Sequence, residues 1–123
     1  MNAAQSQDLR KLNIQFEAYG ADDPDFKKEL IVLMLDNIKE LCEAVCQSFD
    51  WKNAAVFETA AHKVKSTLNL LNDQEFNNCI QDLKEIFDIT DEAAIKRKMN
   101  EFSELSDGII RSLEYEVRLL RTG

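Results

Sequence analysis

Apolar residues recur at spacings of three and four along nearly the whole chain, the repeat of amphipathic helices rather than of strands. Leu9, Leu12, Phe16 and Tyr19 line one side of a segment closed by Gly20, which predicts a short first helix over about 8–19. The next start is marked by Asp22-Asp23-Pro24: an acceptor side chain at the N-cap, proline in the first turn, and Asp25 near the positive end of the dipole. From there Ile31, Met34, Leu35, Ile38, Leu41, Cys42, Val45 and Phe49 share a broad face, which predicts a second helix over about 24–49. Val32 and Leu33 fall off that face.

A third helix, over about 51–71, is expected to be capped by Asp50 and to begin at Trp51. Its core face holds Phe57, Ala60, Ala61, Val64, Leu68 and Leu71. Asn72 is expected to close it and, with Glu75, to form a capping box for a fourth helix over about 73–88 carrying Phe76, Cys79, Ile80, Leu83, Ile86 and Phe87. Asp88 to Asp91 reads as a turn, with Thr90 or Asp91 as the next cap. The last helix, about 91–120, carries Ile95, Met99, Phe102, Leu105, Ile109, Leu113, Val117 and Leu120, and a bend is expected at Asp107-Gly108. Loops this short make neighbours antiparallel. The expectation is an all-α, up-down-up-down four-helix bundle with an added short N-terminal helix, one domain over 1–123.

Composition narrows the function. Three glycines and one proline in 123 residues suit helix, and a formal charge of −8 disfavours nucleic acid and anionic membrane as partners. No apolar run approaches a membrane span, and Met1 to Arg10 lacks the apolar core of a signal peptide, so a cytoplasmic monomer is expected. Cys42, Cys46 and Cys79 lack the spacing of a disulfide framework or a zinc site. Three small buried thiols is the simpler reading, against a thiol-metal or redox module.

The chemistry concentrates at His62, the sole histidine. It lies about 140° from the Phe57 direction at 100° per residue, on the polar side with Ala55, Glu58, Ser66 and Asn69. Spacing alone leaves an ordinary surface histidine open beside a displayed nucleophile. A neutral imidazole needs no activating base, and Lys65 one turn on is a cation for developing charge. There is no glycine-rich phosphate loop and no carboxylate cluster suited to magnesium.

His62-Lys63-Val64-Lys65-Ser66-Thr67, with Asp50-Trp51, Asn53-Ala54-Ala55 and Asp22-Asp23-Pro24 upstream, resembles the histidine-containing phosphotransfer (HPt) domain of phosphorelays over most of the chain. The resemblance implies that His62 accepts a phosphoryl group from a response-regulator receiver aspartate or hybrid sensor kinase and passes it to another receiver. Lys65 would stabilise the phosphoryl charge, with Lys63, Ser66 and Lys84 in support. It implies no kinase activity, no cofactor of the domain's own, and magnesium supplied by the receiver. The exposed side of the His62 helix (Glu58, Thr59 and Asn69), with Val32, Leu33 and the first helix, is the expected docking surface. The chain departs from the family pattern at Ser66, where glycine is frequent, at Leu68, where a smaller residue is usual, and at Asn72, which replaces the closing glycine. Lys84 stands where a glutamine is frequent. A helical adaptor with an incidental histidine is the alternative from another class.

Overall fold

The computed structural model describes Leu12, Ile14, Phe16 and residues 23–87 and 91–122, with the side chains of 121 and 122 excepted. The expected first helix falls mainly outside these residues, as does most of the turn between Asp88 and Asp91. Among the described residues the chain is all-helical, with five helices: α1 (Pro24–Trp51), α2 (Ala54–Lys63), α3 (Lys65–Leu71), α4 (Gln74–Ile86) and α5 (Glu92–Thr122). No helix of the described residues is long and apolar enough to cross a membrane.

Local chemistry sets most of the boundaries. Asp23 is the N-cap of α1, its carboxylate accepting from the Asp25 amide, and Pro24 occupies the first turn as expected. Asp91 caps α5, accepting from the amides of Ala93 and Ala94. Asn72 ends α3 in the left-handed region at φ 50°, ψ 42°. The expected Asn72–Glu75 capping box is replaced by Asp73, whose side chain accepts from the Phe76 amide at 3.0 Å. With Asn72 already left-handed, the extended conformation an N-cap needs passes to the next residue, Asp73, at φ −98°, ψ 102°.

Another expectation is corrected. Asp50 and Trp51 do not open a helix; they belong to the last turn of α1. Lys52 is its left-handed C-cap, with its amide donating to the Ser48 carbonyl, and Asn53 is the N-cap of α2, accepting from the Ala55 amide. Asn53, three residues on, takes the capping role expected of Asp50. Gly108 does not break the last helix, which is continuous through it. Gly108 is buried in line with Leu105 and Ser112.

The helix expected over 51–71 is itself divided. Val64, fully buried at φ −97°, ψ 14°, separates α2 from α3. Its amide still donates to Ala60 and its carbonyl accepts from Leu68, so the backbone ladder passes through an irregular step. Beyond it, Thr67 takes the buried position at 4% exposure while Leu68, expected in the core, is half-buried.

The core is one cluster. Ile31, Met34, Ile38 and Leu41 of α1 meet Phe57 and Val64 of the α2–α3 segment and Leu83, Ile109 and Leu113 of α4 and α5, all without exposure. Helix α1 packs against both α5 and α2, and α4 against α5. Cross-helix contacts record the pairing: Lys39 to Glu114, Lys63 to Glu40, Lys98 to Asp82 at 2.7 Å, and stacked rings of Phe76 and Phe102. Phe87, at the end of α4, stacks on Phe49 of α1 and lies 5.8 Å from Phe57 of α2. Lys27 sits over the Phe16 ring, which fastens the N-terminal segment to the start of α1.

Truncating Leu113 to alanine should cost roughly 2–5 kcal/mol in urea unfolding, through lost burial and an unfilled cavity. Asp73→Ala should cost about 1 kcal/mol through the lost cap. Asp50→Ala should be nearly neutral, the outcome that separates the observed boundary from the expected one.

Candidate functional site around His62

His62 lies in the last turn of α2, with Lys63, where basic groups meet the negative end of the helix dipole favourably. Its side chain is exposed and, among the described residues, makes no hydrogen bond or ion pair. Glu58, Thr59, Lys65, Ser66 and Asn69 are exposed too, so α2 and α3 together display the face that the periodicity predicted. Thr59 and Lys63 flank His62 on one side, at about 60° and 100° around the helix. That side faces α1, because the Lys63 ammonium reaches the Glu40 carboxylate at 3.0 Å.

This ion pair alters the support expected of Lys63. Lys63 is held toward Glu40, and both partners are largely open to solvent, so the pair directs the side chain more than it stabilises the fold. Lys65 is the first residue of α3, across the irregular step at Val64, and carries no partner among the described residues. Lys84 lies exposed in the last turn of α4 and is likewise without a partner. One turn beyond it, Phe87 approaches Phe57 of α2 at 5.8 Å, which brings the end of α4 to the His62-bearing helix. No hydrogen bond joins Lys84 to His62.

Val32 and Leu33 are exposed on α1, at 41% and 54%. Their neighbours at one-turn spacing divide them. Asp36 and Lys39 follow Val32 toward Glu114 of α5, whereas Asn37 and Glu40 follow Leu33 toward the α2–α3 segment. Leu33 therefore lies on the His62 side of α1 and Val32 on the other. Beside His62, a shallow recess of about 320 Å³ runs between α1 and α2, lined by Glu40, Glu43, Ala44, Val56, Thr59 and Lys63. It is a surface depression suited to a partner's side chain, not an enclosed ligand pocket.

Two residues at this site escaped the sequence reading. Asn37 donates from Nδ2 to Thr67 Oγ1 at 2.7 Å, joining α1 to α3, and Glu40 receives Lys63. Both lie outside the apolar stripe of α1, so its periodicity carried no signal for them.

The thiols also differ from expectation. Cys79 is buried and Cys42 half-buried, but Cys46 is exposed. Desolvation pushes the Cys79 thiol up to about 11, with the Glu101 carboxylate adding in the same direction. Burial raises Cys42 as well, opposed by a hydrogen bond with Ser106. Among the described residues no group of three or more His, Cys, Asp or Glu side chains is placed to hold a metal ion.

No protein-family model matches this chain, and neither the curated proteins nor the solved structures give a match.

Treatment with a maleimide at pH 7.5 should label one thiol rapidly, at Cys46, because the thiolate is the nucleophile and burial suppresses it at the other two sites. Peptide mapping that finds Cys79 labelled as fast as Cys46 would contradict the burial described here.

Proposed function

We propose that the protein is a histidine phosphotransfer carrier, with His62 as phosphoacceptor and Lys65 as the cation that stabilises the phosphoryl oxygens. The observation that carries this reading is an exposed imidazole, free of side-chain partners, one turn from an unpaired lysine on a helix whose opposite face is buried. The likeness of His62-Lys63-Val64-Lys65 to the HPt motif supports it. So does a scaffold read as an up-down-up-down bundle, in which α1, α2–α3, α4 and α5 alternate in direction. Two pairs of contacts favour that arrangement: Glu40–Lys63 with Asn37–Thr67, and Asp82–Lys98 with Phe76–Phe102. In each, residue numbers fall on one helix as they rise on the other.

The step balances without a base on the domain. The Nε2 lone pair of His62 forms the N–P bond as the acyl P–O bond of a receiver's aspartyl phosphate breaks. The bonding pair leaves on the aspartate carboxylate, and the proton on Nδ1 passes to water afterwards. Return to a second receiver reverses the bond changes. Catalysis of such a transfer is mostly in-line positioning and charge stabilisation. A displayed, unobstructed imidazole suits this because the donor is itself a folded protein.

The domain would bring no kinase activity and no metal of its own, with magnesium carried by the receiver. It would act as a monomer in the cytoplasm. Docking would use Glu58, Thr59 and Asn69 around His62, with Leu33 at the margin on α1. Ser66 adds a hydroxyl to that contact, and Lys84 a second cation. Lys63 serves less as a phosphoryl ligand than as a brace to Glu40. An adaptor role remains the second reading, favoured by the exposure of Val32 and Leu33.

Incubation with phosphorylated receivers should move label to this protein in an acid-labile, alkali-stable form that is lost in His62→Gln. Lys65→Ala should slow transfer roughly tenfold with its helical circular dichroism intact. Label that survives in His62→Gln overturns the site. Full signalling by that variant in cells favours the adaptor.

A further inference from the structure

The division of the His62-bearing helix at Val64 raises a question of mechanics. In an unbroken helix the direction of Lys65 would be fixed by that of His62, three residues back. Here the intervening residue has ψ 14°, far from the roughly −42° of regular helix, so the roll of α3 about its axis is not set by α2 alone. Each segment needs its own tie to the rest of the molecule.

Beyond their buried apolar residues, each segment has one polar tie to α1, and the two ties differ in strength. Lys63 holds α2 to Glu40 through an exposed pair, with side chains 65% and 44% accessible. Thr67 holds α3 to Asn37 through a hydrogen bond of 2.7 Å, with Thr67 only 4% exposed. Loss of that bond leaves a partly buried amide or hydroxyl without its partner, which the exposed pair never risks. Asn37 is itself well anchored, because Met34 and Ile38 beside it on α1 are fully buried. Lys65 and Thr67 are two residues apart in a seven-residue helix, about 200° around it. Any roll that moves Thr67 in its seat therefore swings Lys65 on the outer face.

We propose that Asn37 is a positioning residue for the His62 site, fixing the roll of α3 through Thr67 and so the direction from which the Lys65 ammonium meets a phosphoryl group on His62. This rests on the phosphocarrier reading but is testable without a receiver. Phosphoramidate is a small donor: the His62 Nε2–P bond forms, the donor's P–N bond breaks, and the nitrogen leaves as ammonia. Because the chain has one histidine, the acid-labile label that His62→Gln removes reports on His62 and separates it from label on lysine or arginine.

The experiment measures that labelling rate in the full chain for wild type, Asn37→Ala, Lys65→Ala and the double variant. Asn37→Ala should be slower by roughly three- to tenfold when Lys65 is present, and should cost nothing further in the Lys65→Ala background. A merely structural loss would slow both backgrounds alike, and that result, or no loss at all, overturns the proposal. Thr67→Val removes the acceptor with little change of shape and should reproduce the pattern, while Thr67→Ser should keep the wild-type rate. These two decide the matter if Asn37→Ala unfolds. The expected cycle with phosphoramidate, combined with no transfer from any receiver, would retain the positioning role and discard the relay. Transfer from a receiver with additive phosphoramidate effects would do the reverse.

Discussion

Burial along the inner face of α1 is the constraint on which the remaining structure depends. Ile31, Met34, Ile38 and Leu41 have no solvent exposure, and each is worth roughly 1.5–3 kcal/mol as transferred apolar surface. The same helix meets α5 on one side and the α2–α3 segment on the other, so the two halves of the chain communicate through it. The polar residues next to that face then do the local work. Lys39 reaches Glu114, Glu40 receives Lys63, and Asn37 donates to Thr67. The orientation of the His62 face is thus decided by the register of α1, some twenty to thirty residues earlier in the chain.

The main elements were readable because each is long enough for its apolar stripe to repeat several times. The cap before Pro24 was readable too, at Asp23, and the last cap was narrowed to Thr90 or Asp91, of which Asp91 serves. Where two candidates competed, local rules could not choose. Asp50 and Asn53 are equally good N-caps, and the choice fell to a lysine adopting a left-handed conformation that its side chain disfavours. Gly108 lies inside α5 despite its poor intrinsic helix propensity, at a position that the assembled fold buries.

The candidate site divides in the same way. Display of His62 with Glu58, Ser66 and Asn69 follows from helical angles alone. The pairing of Lys63 with Glu40, the seat of Thr67 against Asn37, and the irregular step at Val64 do not, since each depends on how two helices are set against one another. The placement of Thr67 rather than Leu68 at the buried position is the clearest case. The expected core face included Leu68 and left Thr67 out, whereas the Thr67 hydroxyl is buried and accepts from the Asn37 amide.

The step at Val64 has one more consequence. It leaves α2 with ten residues and α3 with seven, both shorter than the roughly 12–15 an isolated helix needs to persist in water. Neither has order of its own; each is helical on condition that Phe57, Val64, Leu70 and Leu71 stay buried. His62 and Lys65 consequently stand on opposite sides of the step, and the order of each segment is lent by the core beneath it. The face they share is held in common by two tenants of different security, and a surface built that way can yield on one side of the histidine without giving way on the other.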